Sequence, residues 1–185
     1  LICGLGGSGI GGTIIKDILS SSTQVPILTT KDYSIPNFVN NETLVIANSY
    51  SGNTEETLCA LEKCRAKKAE IAIITSGGQL KGIAEKNSFN SIFVPPGGPP
   101  RAMFAYAFTE LFYILNHYKI IDNSFVCDFE NAIQLLDSKK PEIKNQAMFL
   151  AKKLYGQTPV IYVANGFEGV AIRFRQQINE NSKML

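Results

Sequence analysis

Thr43-Leu44-Val45-Ile46-Ala47, followed without a break by Asn48-Ser49-Tyr50-Ser51-Gly52-Asn53-Thr54-Glu55-Glu56-Thr57, is the stretch that decides the fold. A continuous β-branched and apolar run with no polar alternation reads as a strand buried on both faces. The hydroxyl-bearing residues and the glycine that follow do not continue it. They read as a loop ending at a helix start, where Asn53 or Thr54 is placed to cap, and that helix runs to about Lys67. A strand covered on both faces belongs to a parallel sheet whose crossover helices lie on either side.

The same unit recurs in both directions. Upstream, Leu1-Ile2-Cys3 reads as the end of a strand, Gly4 to Gly12 as a glycine-rich loop, Ile14 to Leu19 as a helix, and Val25 to Thr29 as a second strand. Downstream come a strand at Ile71 to Thr75, a turn at Ser76-Gly77-Gly78, a helix at Leu80 to Lys86 and a strand at Ser91 to Val94. Pro95-Pro96-Gly97-Gly98-Pro99-Pro100 excludes helix and central strand, and an apolar helix from about Arg101 to Tyr118 follows. This alternation predicts an α/β domain over residues 1–121, a five-stranded parallel sheet flanked by helices. Residues 122–157 read as a helical connection broken at Lys139-Lys140-Pro141. Pro159 to Val163 reads as a new buried strand and Gly169 to Ile178 as a helix. Residues 158–185 therefore look like the beginning of a second α/β domain, in a chain that reads as a fragment.

Composition narrows the function. The 185 residues carry 18 Lys and Arg against 16 Asp and Glu, a net charge of +2, which is not the basic field of a nucleic-acid binder. No apolar run approaches the ~20 residues of a membrane helix. The four cysteines, Cys3, Cys59, Cys64 and Cys127, form no CxxC pair, and a single histidine leaves no Cys/His zinc set. The expectation is reduced, partly buried thiols in a cytosolic protein.

Ligands of an open parallel sheet sit beyond the carboxyl ends of its strands, so the candidate chemistry lies in the loops there. Gly4, Gly6 and Gly9 satisfy G-x-G-x-x-G, with Asp32 near the place of a ribose-binding acid. This keeps open a nicotinamide-dependent dehydrogenase. The physics common to every reading is that small residues bring amides and a helix N-terminus up to an anion, with Ser8 adding a hydroxyl. Ser49, Ser51 and Thr54 repeat that chemistry in the second loop, which suits a phosphate without any lysine. No G-x-x-x-x-G-K-[ST] occurs, against a nucleoside triphosphate site of the P-loop kind. Ser76-Gly77-Gly78 either turns the chain or walls the pocket. Arg101, at a helix start where a cation is disfavoured by the macrodipole, suits an anion or a developing oxyanion. Glu180, among amides near the C-terminus, is a candidate general base or a solvated helix-end carboxylate. His117, the sole histidine, reads as structural or solvent-exposed.

Gly6-Gly7-Ser8-Gly9, Ser49 to Thr57, Pro95 to Arg101 and Asn179-Glu180-Asn181-Ser182-Lys183 together resemble the sugar isomerase (SIS) domain family, in its bifunctional phosphoglucose/phosphomannose isomerase branch. The resemblance spans nearly the whole chain. It implies two SIS domains per chain and interconversion of glucose or mannose 6-phosphate with fructose 6-phosphate through a cis-enediol(ate), without metal, nucleotide or other cofactor. It implies that Gly7, Ser8, Ser49, Ser51 and Thr54 hold the sugar phosphate, that Arg101 stabilises the enediolate, and that Glu180 moves the proton between C1 and C2. It also implies a cytoplasmic homodimer whose active site is shared between subunits, and a ring-opening histidine downstream of residue 185, a place His117 does not match. A catalytically silent SIS module that senses a phosphosugar is the alternative that keeps the loops and needs no base.

Overall fold

The computed structural model describes residues 1–184. Five short strands, β1 (Ile2–Cys3), β2 (Thr29–Thr30), β3 (Leu44–Asn48), β4 (Glu70–Thr75) and β5 (Asn90–Phe93), pair in parallel throughout in the order β2-β1-β3-β4-β5. The α/β fold class and the parallel sheet are those expected from the alternation of apolar runs. Helices α1 (Gly6–Leu19), α2 (Glu55–Ala66), α3 (Gly78–Asn87), α4 (Phe104–His117), α5 (Phe125–Leu154) and α6 (Glu168–Ser182) complete the chain.

The strand residues sort by parity, as a pleat requires. Ile2, Ile46, Ala72 and Ile74 face one layer with Ile15 of α1 and Leu111 of α4. Cys3, Val45, Ala47, Ile71 and Ile73 face the other, with Leu61 and Cys64 of α2 and Leu80 of α3. This explains the missing polar alternation in β3: both faces are covered. The α4 helix is a core element, with Ala107, Leu111, Phe112, Ile114 and Leu115 all buried. Its phenylalanines dock the start of α5 through edge contacts, including Phe112 to Phe129 at 5.0 Å between centroids.

Several local expectations are corrected. The helix expected near Ile14 begins at Gly6, so most of the glycine-rich segment is helix rather than loop. Glycine costs up to ~1 kcal/mol per position in a helix, and packing overrides it here. A Cβ on Gly9 would press into the Gly4 carbonyl, with the carbonyl carbon at 2.7 Å. Only a residue without a side chain lets α1 leave β1 so abruptly. The strand expected at Val25 to Thr29 shrinks to Thr29–Thr30, because β2 pairs with only the two residues of β1. The apolar helix begins later than expected, after a separate 3₁₀ turn at Pro100–Ala102.

Lys139-Lys140-Pro141 does not break the chain; α5 is continuous through Pro141. The bond that proline cannot donate would go to the Asp137 carbonyl, and this part of α5 is exposed, so water satisfies that oxygen. Pro159 to Val163 is not a strand. Val160, Tyr162 and Val163 are exposed, Tyr162 at 90%, and no described strand pairs with the segment. A strand without a neighbour leaves its backbone groups unpaired, and residues 159–163 have none. All four cysteines are free thiols, Cys3 and Cys64 in the core. No described helix is long and apolar enough to cross a membrane.

Helix α6 lies on α1. A Cβ on Gly169 would stand 2.8 Å from the Ile14 Cγ1 and 3.1 Å from the Ile14 backbone, and the Gly169 amide donates to Asp17 Oδ2 at 3.2 Å. Gly169→Val is expected to lift α6 from α1 at a cost of about 1–3 kcal/mol, read as a lower denaturation midpoint and faster proteolysis within residues 156–182. At the opposite edge, the Tyr118 hydroxyl donates to Glu70 Oε1 and accepts from Asn90 Nδ2, both at 2.6 Å. Burial and then the Glu70 hydrogen bond push its pKa up to about 12 from 10.0. The raised value means that the hydroxyl's stabilisation is complete below pH 10 and is lost as pH rises towards 12. The stability difference between wild type and Tyr118→Phe should therefore vanish over that window in denaturation titrations.

Candidate active site

Strands β1 and β3 are neighbours, yet α1 leaves β1 for one face of the sheet and α2 leaves β3 for the other. This is a topological switch point, where two loops diverge and open a crevice. Both helix N-termini point into it. The first bond within α1 is Gly9 N–H to the Leu5 carbonyl at 3.1 Å, which leaves the amides of Gly6, Gly7 and Ser8 without an intrahelical acceptor. The first turn of α1 carries no carboxylate, whereas that of α2 carries Glu55 and Glu56. The end of α1 is therefore the more favourable of the two for an anion.

The two loops are joined directly. Ser8 Oγ accepts the Tyr50 amide at 3.1 Å, and the fully buried Asn48 donates its side-chain amide to the Ser8 carbonyl at 3.1 Å. Ser49 is buried, with its hydroxyl 2.8 Å from the Thr54 hydroxyl. Ser51 is exposed and accepts the Asn53 amide at 3.3 Å. Ser8 thus joins the second loop, Ser49 and Thr54 pair within it, and Gly7 faces the Pro100 carbonyl and Arg173.

The Ser76–Gly78 turn clamps the second loop. Ser76 donates both its amide (3.0 Å) and its hydroxyl (2.6 Å) to the Tyr50 carbonyl, and the Leu80 amide bonds the Gly52 carbonyl at 3.0 Å. Gly52 has φ +69°, and a Cβ there would stand 2.8 Å from Thr75 Oγ1, so only glycine fits both the dihedral and the space. Asn53 does not cap α2; its Oδ1 accepts the Gln79 amide at 3.0 Å, in the first turn of α3.

Arg101 and Glu180 approach from the other side. The Tyr50 hydroxyl donates to the Pro95 carbonyl and accepts the Gly98 amide, each at 3.1 Å, which pins the proline-rich arch to the second loop. The arch delivers Arg101 on the 3₁₀ turn. Helix α6 then grips Arg101: Gln177 Nε2 donates to its carbonyl at 3.2 Å, and Asn181 Oδ1 accepts from its Nε at 3.1 Å. Glu180 is exposed in the last turn of α6, next to Asn181. Its charge acts on the guanidinium of Arg173, where burial pulls the pKa down and Glu180 opposes that pull.

Asp32 lines a small recess with Gly4, Thr30, Glu56 and Thr57 beside the first loop. Asp32 is occupied in its own turn, accepting the Tyr33 amide at 2.6 Å. Gly4 and Gly9 are required by the contact between β1 and α1. His117 ends α4 at the opposite edge of the sheet, beside Tyr118 and the starts of β4 and β5. The described residues hold no cluster of three metal-ligating side chains. Sequence reasoning assigned no role to Tyr50, Arg173 or Gln177. The spacing Arg173, Gln177, Asn181 places three polar side chains on one helical face, which was a readable signal.

Residues 143–185 match the family model of the bacterial phospho-glucose isomerase C-terminal SIS domain. The chain carries a sugar isomerase (SIS) fold. It is 42% identical to a bifunctional phosphoglucose/phosphomannose isomerase of Caldicellulosiruptor bescii, over 99% of this chain and 56% of that protein. It is also 36% identical to a D-glucosamine-6-phosphate 4-epimerase of Sulfolobus acidocaldarius, over 97% of this chain and 56% of that protein. The chain thus spans a little over half the length of the curated relatives it matches. Among solved structures, tagatose-6-phosphate ketose/aldose isomerase of Escherichia coli superposes with TM-score 0.65 at 20% identity, over 97% of this chain and 52% of that one, a likeness of fold.

Tyr50→Phe removes the hydroxyl that pins the arch while leaving the Tyr50 backbone bonds in place. The expected cost is about 1 kcal/mol per hydrogen bond lost, together with faster amide exchange at Gly98. Unchanged exchange there would show that the arch is rigid without the hydroxyl.

Proposed function

We propose that this chain binds a hexose 6-phosphate and forms the main part of an aldose–ketose isomerase that interconverts glucose or mannose 6-phosphate with fructose 6-phosphate. The observation that carries this reading is the Ser8–Tyr50 junction, where a carboxylate-free helix N-terminus and a hydroxyl-rich loop face one crevice. The phosphate sits on the free amides of α1, with Gly7, Ser8, Ser49, Ser51 and Thr54 around it. The sugar extends towards Arg101 and Glu180.

The residues divide the chemistry. A C–H proton next to a carbonyl is weakly acidic, so its removal needs a base and a stabiliser for the oxygen that becomes negative. Glu180 is the base that takes the proton from C2 of the aldose and returns it to C1. Arg101 is the cation at the developing enediolate oxygen. With Nε held by Asn181, its two terminal nitrogens remain for substrate. No cofactor or metal takes part in this scheme, and His117 is assigned no part in it. Dual glucose and mannose specificity follows if the C2–C3 bond of the enediol can turn, so that either face is reprotonated.

The reading extends to the whole protein. Residues 122–157 serve as the connection and residues 158–185 as the beginning of a second SIS domain. The match over residues 143–185 and the apolar surface left on α5 and α6, with Met148, Phe149 and Phe174 exposed, support this. A cytoplasmic homodimer with a shared active site, acting in glycolysis and gluconeogenesis, completes the proposal. Nucleic acid and membrane have no place in it.

Incubation with fructose 6-phosphate in heavy water, followed by proton NMR, tests the chemistry. Glucose and mannose 6-phosphate labelled at C2 are the expected products. Glu180→Gln should lower turnover by about 10²–10⁴-fold, with inhibition by inorganic phosphate unchanged. Phosphate binding without any exchange in wild type would instead favour the silent sensor. A product inverted at C4, with no label at C2, would align the protein with its epimerase relative.

A further inference from the structure

Arg173 is half-buried on α6, whereas Arg175, two residues on, faces solvent. Its Nη2 donates to the Arg101 carbonyl at 2.6 Å, and its guanidinium lies over the Phe104 ring, 5.0 Å from the centroid. Its Nη1 is sealed from solvent and has no hydrogen-bond partner. That nitrogen stands 3.8 Å from where a Cβ on Gly7 would be, against the first turn of α1. A cation beside a helix N-terminus is electrostatically unfavourable, and a buried guanidinium nitrogen without an acceptor adds to the cost. A core contact on Phe104 alone would be made better by leucine or methionine. The arginine is explained by what it touches: the backbone of Arg101, the first turn of α1 and, through its charge, Glu180.

We propose that Arg173 is a positioning residue of the isomerase site, holding the Arg101 backbone in register with Glu180 and with the N-terminus of α1. Gln177 and Asn181, one and two turns further along the same face of α6, continue the grip on Arg101. The three contacts make Arg101 and Glu180 parts of one rigid unit, although they lie 79 positions apart in the chain. Misplacement of a catalytic group by about 1 Å can cost about 100-fold in rate, so the unit matters for turnover more than for binding. The inference rests on the isomerase reading above.

The test uses the full-length protein with Arg173→Met, which keeps the contact on Phe104, and Arg173→Ala with added guanidinium ion. Three quantities are read: steady-state turnover of fructose 6-phosphate, inhibition by inorganic phosphate, and affinity for a five-carbon phosphorylated aldonate whose carboxylate mimics the planar enediolate. Arg173→Met should lower kcat by about 10–100-fold while KM and phosphate inhibition stay within about threefold. Affinity for the aldonate should fall by the same factor as kcat/KM, and guanidinium should restore part of the activity of Arg173→Ala. An unchanged kcat overturns the proposal. So does a loss of phosphate affinity and melting temperature in step with kcat, which would make Arg173 a phosphate or packing residue. A wild type that binds phosphate but turns over nothing overturns the isomerase reading instead. The aldonate then decides for Arg173: loss of its affinity alone supports positioning, and unchanged affinity overturns it.

Discussion

The hydrogen bond from the Tyr50 amide to Ser8 Oγ is the contact on which the site depends. It closes the gap between two loops that leave adjacent strands in opposite directions. Without it, the N-termini of α1 and α2 would be two separate helix ends. With it, they stand side by side at one crevice edged by backbone amides and hydroxyls. The bond is possible because Gly9 packs directly on Gly4, which brings the first turn of α1 down onto the end of β1.

Tyr50 is the hub of this arrangement, since each of its polar groups goes to a different element. Its amide holds Ser8, its carbonyl is held by Ser76, and its hydroxyl pins the arch at Pro95 and Gly98. The two loops and the arch that carries Arg101 are therefore held together. Helix α6 adds a second anchor, with Gln177 and Asn181 on Arg101 and Gly169 seated on Ile14 of α1. The candidate base thus stands on an element that packs against α1, the helix whose N-terminus opens at the crevice. A site assembled this way is set by rigid elements rather than by loop tips, which suits chemistry that needs fixed distances between a carboxylate, a cation and a carbon acid.

Most of the architecture was legible in apolar runs. Strands β3 and β4 announce themselves because burial on both faces requires continuous hydrophobicity, and the pleat then deals Ile46 and Val45 to opposite layers. The loops after β1 and β3 were legible as the places where the chain leaves the sheet, because glycines and hydroxyls gathered after a strand do not continue it. Where local reading failed, a nonlocal term decided. Glycine propensity predicted a loop where packing on β1 makes a helix. Pro141 predicted a break where exposure lets water replace the missing bond. Val160 to Val163 has strand composition, but pairing needs a neighbour, and none is present among the described residues.

By itself, then, the sequence determined the fold class, the runs that become the buried strands, and the glycine- and hydroxyl-rich composition of the loops that follow them. These are consequences of composition and short spacing, which act within a few residues. Only the tertiary structure decided that Ser8 and Tyr50 meet, that His117 lies at the far end of the sheet, and that Arg173 and Gln177 bond the Arg101 backbone. Those contacts span tens of residues, and they exist because a parallel sheet brings the ends of distant strands to a single edge.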